Sequence, residues 1–257
     1  MTLTITLSLG VAIGVLLGLL GGGGSILAVP ALVYAIGLDI EQAIPVSLLV
    51  VGTASAVALI PRIRARRIEW RLAAVFAAAG IPATFVGSAV GRLLPQSAVL
   101  LGFAGVMIIS GLRMLSDNDG VGTSCRTTES GIDWRRCTMR SIPAGFAVGV
   151  MTGLFGVGGG FLIVPALVLL LGVEMRIAVG TSLAVIVVNS AAGLVAHLNT
   201  ADVDWAVTAA FAGAAIAGSV VAGHFGARIA TERLQRWFAY LVFAVAAYVL
   251  VDTVFLG

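Results

Sequence analysis

With 257 residues, 60% of them hydrophobic and 11% charged, and a mean hydropathy of +1.11, the chain has too little polar surface to cover a soluble domain. This excludes a disordered chain and a nucleic-acid reader with a broad basic face, and the presence of only Cys125 and Cys137 excludes a disulfide scaffold. The net charge of +3 rests on arginine alone, since the chain has no lysine, and selects no partner by itself.

In chain order, the stretches free of Asp, Glu, Lys and Arg are 1–38, 42–61, 72–91, 93–112, 141–173, 177–201, 205–227 and 237–251. A helix crosses the hydrocarbon core with about 20 residues, so six of these eight blocks predict single crossings. The last does so only by extending past Arg236 or Asp252. The blocks 1–38 and 141–173 are too long for one helix, and each contains a glycine-rich run: Gly21-Gly22-Gly23-Gly24-Ser25 and Gly156-Val157-Gly158-Gly159-Gly160. No basic region or small-residue cleavage site precedes the first block, so it is expected to stay in the mature protein.

A single constant offset, the one that takes Gly14 to Gly149, lays the second half on the first. Within 14–37 and 149–172 the identities are Gly14, Val15, Gly18, Leu19, Gly21, Gly23, Gly24, Leu27, Val29, Pro30, Ala31, Leu32, Val33 and Gly37. The register then holds without a gap, placing Ser47 on Ser182, Ser55 on Ser190, Trp70 on Trp205 and Gly91 on Gly226. The chain therefore reads as a fused duplication: a first transmembrane repeat 1–115, a linker 116–140 and a second repeat 141–257.

Arginine distribution tests the orientation of the halves, because cytoplasmic loops hold the excess of positive charge. If each long block crosses once, the halves are parallel and the fifteen arginines divide ten against five. If each long block enters, breaks at its glycines and leaves on the same side, the halves are inverted and Arg92 alone lies outside. The segments 141–155 and 161–173 are each short of the roughly 17 residues needed to cross, although 1–20 is long enough. The expected fold is an all-α polytopic membrane protein of two inverted repeats. Each repeat has a glycine-broken re-entrant helix pair and three transmembrane helices, and the linker is cytoplasmic.

Inverted repeats with discontinuous helices are a recurrent plan for secondary transporters, with the substrate near the midplane where the breaks meet. Glycines let the chain turn there and expose backbone N–H groups. New helices are expected to begin near Ile26 and Phe161, with Ser25 as an N-cap, and to point their positive ends at the centre. That is an anion site without a buried cation, assigned to Gly22, Gly23, Gly24, Ser25, Gly158, Gly159 and Gly160. Pro30 and Pro165 cannot bond the carbonyls one turn back, so they are structural markers of the broken segments. The spaced pairs Gly14-xxx-Gly18 and Gly87-xxx-Gly91, and Gly145-xxx-Gly149-xxx-Gly153, read instead as helix-packing seams.

The twice-occurring pattern, Gly-Leu-Leu-Gly-Gly-Gly-Gly-Ser-Ile-Leu-Ala-Val-Pro-Ala-Leu and Gly-Leu-Phe-Gly-Val-Gly-Gly-Gly-Phe-Leu-Ile-Val-Pro-Ala-Leu, resembles the signature of the sulfite exporter TauE/SafE family over nearly the whole chain. The resemblance implies a small duplicated permease for sulfite, sulfonates and related sulfur-containing or organic anions. It places the family's signatures on Gly21 to Gly24 and Gly156 to Gly160, and its prolines on Pro30 and Pro165. The linker with its two cysteines is not part of that signature.

Further polar candidates are Ser47, Thr53 and Ser55, with Thr181, Ser182, Asn189 and Ser190, on the helix after each broken segment. Of these, Ser47, Ser182 and Asn189 join the assigned substrate site. A buried Ser or Thr commonly bonds its own backbone, and Asn189 reads equally as a substrate contact or an interhelical bond. His197 and His224 read as solvated or capping histidines at span ends, and Trp70 and Trp205 as interface anchors. Arg62 to Arg67 reads as a topology determinant, and Cys125 and Cys137 as cytosolic thiols. No carboxylate lies deep in a span, so the usual proton relay is absent. Nor does any catalytic or metal-ligand cluster appear.

The expected function is a multi-pass transporter, an exporter of small anions in the inner or plasma membrane of a bacterium, with an anion channel as the alternative. It is not expected to be an enzyme and needs no cofactor or metal. Its partners are a small anionic substrate and the lipid bilayer, not nucleic acid. Sequence leaves homo-oligomerisation open.

Overall fold

A computed structural model describes residues 2–20, 24–115, 126–127, 131–132, 134–155, 160–197, 205–225 and 231–255. Among these lie ten α-helices: α1 Thr2–Leu20, α2 Ser25–Pro30, α3 Ile40–Arg64, α4 Trp70–Gly91, α5 Gln96–Leu115, α6 Trp134–Phe155, α7 Gly160–Pro165, α8 Met175–His197, α9 Trp205–Phe225 and α10 Thr231–Phe255. Two short antiparallel strands, β1 at 126–127 and β2 at 131–132, pair between α5 and α6.

Among the described residues, three helical stretches are long and apolar enough to cross a membrane by length and composition: Ile40–Arg64, Trp70–Gly91 and Arg176–His197. The outward faces carry large exposed apolar side chains, among them Val86, Ile109, Leu112, Val221 and Val251, as a lipid-facing surface requires. α10 runs past both Arg236 and Asp252, which gives the last apolar block the length that its charge-free core lacks. α6 corrects the reading of 141–155 as a short helix. It begins at Trp134, within the linker, and holds 22 residues, so length alone does not stop it from crossing.

The two broken blocks fold alike for identifiable reasons. Pro30 and Pro165 end α2 and α7 because neither has an N–H for the carbonyl four residues back. The helix then continues with the wider π spacing, over Ala31–Ile36 and Ala166–Leu170. Gly37 and Gly172 close these turns at φ 81° and 70°, a left-handed conformation that only glycine enters without strain. Beyond them the N–H of Leu38 donates to Leu32 O at 3.1 Å and that of Val173 to Leu167 O at 3.0 Å. Both closures are one residue wider than the Schellman bond, as the π-turn dictates.

Two glycine seams hold the long helices together. A Cβ at Gly10, Gly14 or Gly18 of α1 would strike Phe211, Ala215 or Ser219 of α9, in each case at a main-chain oxygen. A Cβ at Gly145, Gly149 or Gly153 of α6 would strike Phe76, Gly80 or Thr84 of α4 in the same way. Every position in the second set is related to one in the first by the repeat offset. These contacts leave no room for a side chain, so the spaced glycines are packing residues, as their spacing predicts. Gly87 joins the second seam, where a Cβ would meet Val150 O.

The same contacts fix helix directions. Pairings along α1 and α9, and along α4 and α6, advance together, so each pair is parallel. Gly80, Thr84 and Ser88 of α4 meet Asn189, Gly193 and His197 of α8 in the same order, so α4 and α8 are also parallel. α6 therefore runs the same way as α8, and the chain between them must turn back through α7. α3 and α8 are antiparallel, since Leu48 meets Gly193 while Gly52 meets Ser190.

Candidate functional site

The two returning helices α2 and α7 touch each other, and each also packs on the long helix that follows it, α3 or α8. Of the glycine runs, Gly24 and Gly160 are described, while Gly22, Gly23, Gly158 and Gly159 lie outside the described residues. Gly24 is right-handed helical at φ −67° and ψ −26° and precedes the first residue of α2. A Cβ there would strike the Ile13 carbonyl and come within 2.7 Å of the Leu17 nitrogen, so Gly24 lets the returning chain lie directly against α1. The expected N-cap is corrected accordingly: Ser25 is the first helical residue, and the cap position, Gly24, has no side chain to accept a bond. Ser25 is fully buried. In the second repeat the helix starts at Gly160, one residue before Phe161.

Ser47 and Ser182 are both fully buried, and their hydroxyls donate to the carbonyls three residues back, Ile44 O at 2.8 Å and Val179 O at 2.9 Å. Thr53 is exposed and donates to Leu49 O at 2.8 Å, so it points away from the centre. Thr181 accepts from the Glu69 N–H at 3.0 Å, tying the start of α4 to α8. Asn189 is fully buried on the side of α8 that faces α4, and a Cβ on Gly80 would sit 2.6 Å from its Oδ1 and 2.8 Å from its Nδ2. Neither amide atom has a hydrogen-bond partner, nor do the buried hydroxyls of Ser55 and Ser190. An unsatisfied buried polar group costs about 1–3 kcal/mol, so three within one region mark a place where something else binds or where helices part.

Sequence reasoning missed two residues at the ends of the central helices. His197 is buried, which corrects the solvated half of its reading; the capping half agrees with its place in the last turn of α8. Its Nδ1 lies 2.8 Å from Gly193 O and its Nε2 3.3 Å from Ser88 Oγ. Arg62 is more than a topology marker: its guanidinium donates to Ala58 O at 2.7 Å and to Gly18 O at 2.6 Å, closing the last turn of α1 just before the glycine run. The available signal was the repeat itself, because the offset that takes Gly14 to Gly149 also takes Arg62 to His197 and Ala58 to Gly193. A cavity of about 270 Å³ opens beside His197, lined also by Asp39, Glu41 and Arg92. The side chain of His224 lies outside the described residues. Trp70 and Trp205 stand exposed at the starts of α4 and α9, where interface anchors belong.

Cys137 corrects the expected thiol, since it is disulfide-bonded. The chain's other cysteine, Cys125, lies outside the described residues. Among the described residues no group of His, Cys, Asp and Glu is arranged to hold a metal ion.

The sequence pattern of the sulfite exporter TauE/SafE family matches residues 6–249. A probable membrane transporter protein of Xylella fastidiosa (strain 9a5c) is 36% identical over 97% of this chain and 95% of its own length. The probable membrane transporter protein YunE of Bacillus subtilis (strain 168) is 28% identical over 89% of each chain. No solved structure matches. The apolar helices and these relatives describe a membrane-embedded transporter. The chain belongs to the sulfite exporter TauE/SafE family.

Proposed function

We propose that the protein is a secondary transporter that exports small anions, sulfite, sulfonates or related organic anions, through two inverted repeats. The observation that carries this reading is the antiparallel crossing of α3 and α8, which correspond under the repeat offset, with the returning helices α2 and α7 in contact. Equivalent helices of inverted repeats run in opposite directions, and broken helices that enter and return on one side supply the midplane site of such transporters. The proposed site joins the glycine runs, Gly22 to Gly24 and Gly158 to Gly160, to Ser25, Ser47, Ser182 and Asn189. Pro30 and Pro165 shape the broken segments.

The arginine distribution supports 62–71, 113–140 and 228–236 inside and both termini outside a bacterial inner membrane, while the Cys137 disulfide argues against an inside location for its own segment. The substrate's own charge then drives export, because 100 mV is worth about 2.3 kcal/mol per charge, roughly fiftyfold.

The test is a proteoliposome flux assay with sulfite, sulfate, a sulfonate and a carboxylate in parallel, with the potential clamped by potassium and valinomycin. Saturable efflux that follows the potential is expected. Efflux that never saturates would make the protein a channel, and efflux that ignores the potential but follows a pH gradient would make it proton-coupled. Orientation is tested by placing a cysteine at Arg64 in a background with Cys125 and Cys137 changed to serine. Labelling of that cysteine from outside intact cells by an impermeant probe would overturn the inverted topology.

A further inference from the structure

We propose that Ser55, Ser190 and Asn189 form an uncharged oxyanion-binding site where α8 packs on α3 through Ser190 and on α4 through Asn189, a site that rests on the transport reading and gives it a specificity element. All three side chains are at most 1% exposed, and none of their polar side-chain atoms has a hydrogen-bond partner. The crossing is set by Gly52, whose Cβ position lies 3.1 Å from Ser190 Cβ. Ser55 follows Gly52 by about one turn, and Asn189 is the neighbour of Ser190. All three lie about two thirds of the way along their helices, well inside both ends.

The free hydroxyls are informative because other buried hydroxyls in these helices behave differently. Those of Ser47, Thr84, Thr152, Ser182 and Ser219 each donate to a carbonyl three or four residues back. That is the default for Ser and Thr in an apolar helix. Ser55 and Ser190 correspond under the repeat offset, and both decline the bond at the same place. Asn189 corresponds to Ala54, so the amide is supplied from one side only. The site thus offers two hydroxyls and two amide N–H groups without a formal charge. Several oxygens on one small anion accept all of these together, and release of the anion is not opposed by a buried cation.

The variants are chosen so that loss of fold does not imitate loss of function. Asn189→Leu and the double change Ser55→Ala with Ser190→Ala remove unsatisfied groups, and such replacements are close to neutral or stabilising for the fold. The full-length protein and both variants are compared by thermal unfolding in detergent with sulfite, sulfate, or chloride, with sodium or choline as the cation, and by proteoliposome efflux of sulfite. The expected result is unfolding at the same or a higher temperature without oxyanion, disappearance of the oxyanion-induced shift, and efflux lowered about tenfold or more. Wild-type efflux that saturates while both variants retain it and the shift would overturn the site and leave the transport reading standing. A shift that follows sodium instead of the oxyanion would make the cluster a cation site and also overturn it. A wild-type protein that neither binds nor moves any oxyanion would remove both readings.

Discussion

The two ends of the central helix pair make an instructive comparison. Arg62 lies in the last turn of α3 and His197 ends α8, and because the helices are antiparallel these residues stand at opposite ends of the pair. Each bonds the carbonyl four residues before it, Ala58 or Gly193, and each reaches a neighbouring helix, Gly18 of α1 or Ser88 of α4. The backbone plan is thus the same at both ends and the charge is not. Arginine stays cationic at every pH of interest, whereas histidine changes charge between pH 5 and 8. Two helix ends built alike can therefore present a fixed latch on one side and a switchable one on the other.

The comparison depends on the two glycine seams being equivalent, and the largest expected effect comes from breaking them. Gly14→Val and Gly149→Val each push a side chain into a main-chain oxygen, of Ala215 and of Gly80. Overpacking costs about 1–3 kcal/mol even where side chains can give way, and backbone gives way least. Both variants should lose folded protein to the same extent, as read by size-exclusion chromatography in detergent. Gly213→Ala, which meets nothing within 4 Å, should not. Unequal losses at Gly14 and Gly149 would break the equivalence.

Arg62→Ala comes next. It strips two charge-assisted bonds, and with allowance for the partial exposure of Arg62 the loss should be about 2 kcal/mol of stability. Thermal unfolding checks this, and Arg62→Lys should recover only part of the loss because an ammonium lacks the forked geometry. His197→Gln should cost less, about 1 kcal/mol, since each of its contacts is single. Its signature is pH: protonation of His197 adds positive charge beside Arg92, in a cavity that Asp39 and Glu41 also line. Anion release at that end should rise as the pH there falls, and His197→Gln should flatten the profile. An unchanged profile would remove the switch.

These ends also show what was legible in sequence. The constant offset between the halves, the glycine runs and the prolines announced both broken segments, because each needs a residue type that few others can replace. The spaced glycines announced the seams for the same reason. Charge-free length misjudged α6, since its first turns at Trp134 to Arg140 are polar and still helical. The burial of His197 was invisible because it depends on Ser88, distant in sequence, arriving beside it. Ser25 was misread because a capping residue type was inferred where Gly24 is already in the helical conformation. The unsatisfied state of Ser55, Ser190 and Asn189 is likewise a property of what surrounds them, which no local pattern encodes.

The smallest expected effect sharpens the comparison by using the protein's own second repeat as the reference. Thr53 corresponds to Val188 under the repeat offset, and both are exposed. Thr53 spends its hydroxyl on Leu49 O at 2.8 Å and Val50 O at 3.1 Å, with no reach to another helix. Valine keeps the branched shape, so Thr53→Val installs what the equivalent position already carries. Stability should change by less than about 0.5 kcal/mol, as for surface changes generally, and sulfite efflux should match wild type. A clear fall in efflux from this variant would place Thr53 on the substrate's path and show that the outward faces of α3 and α8 are not equivalent.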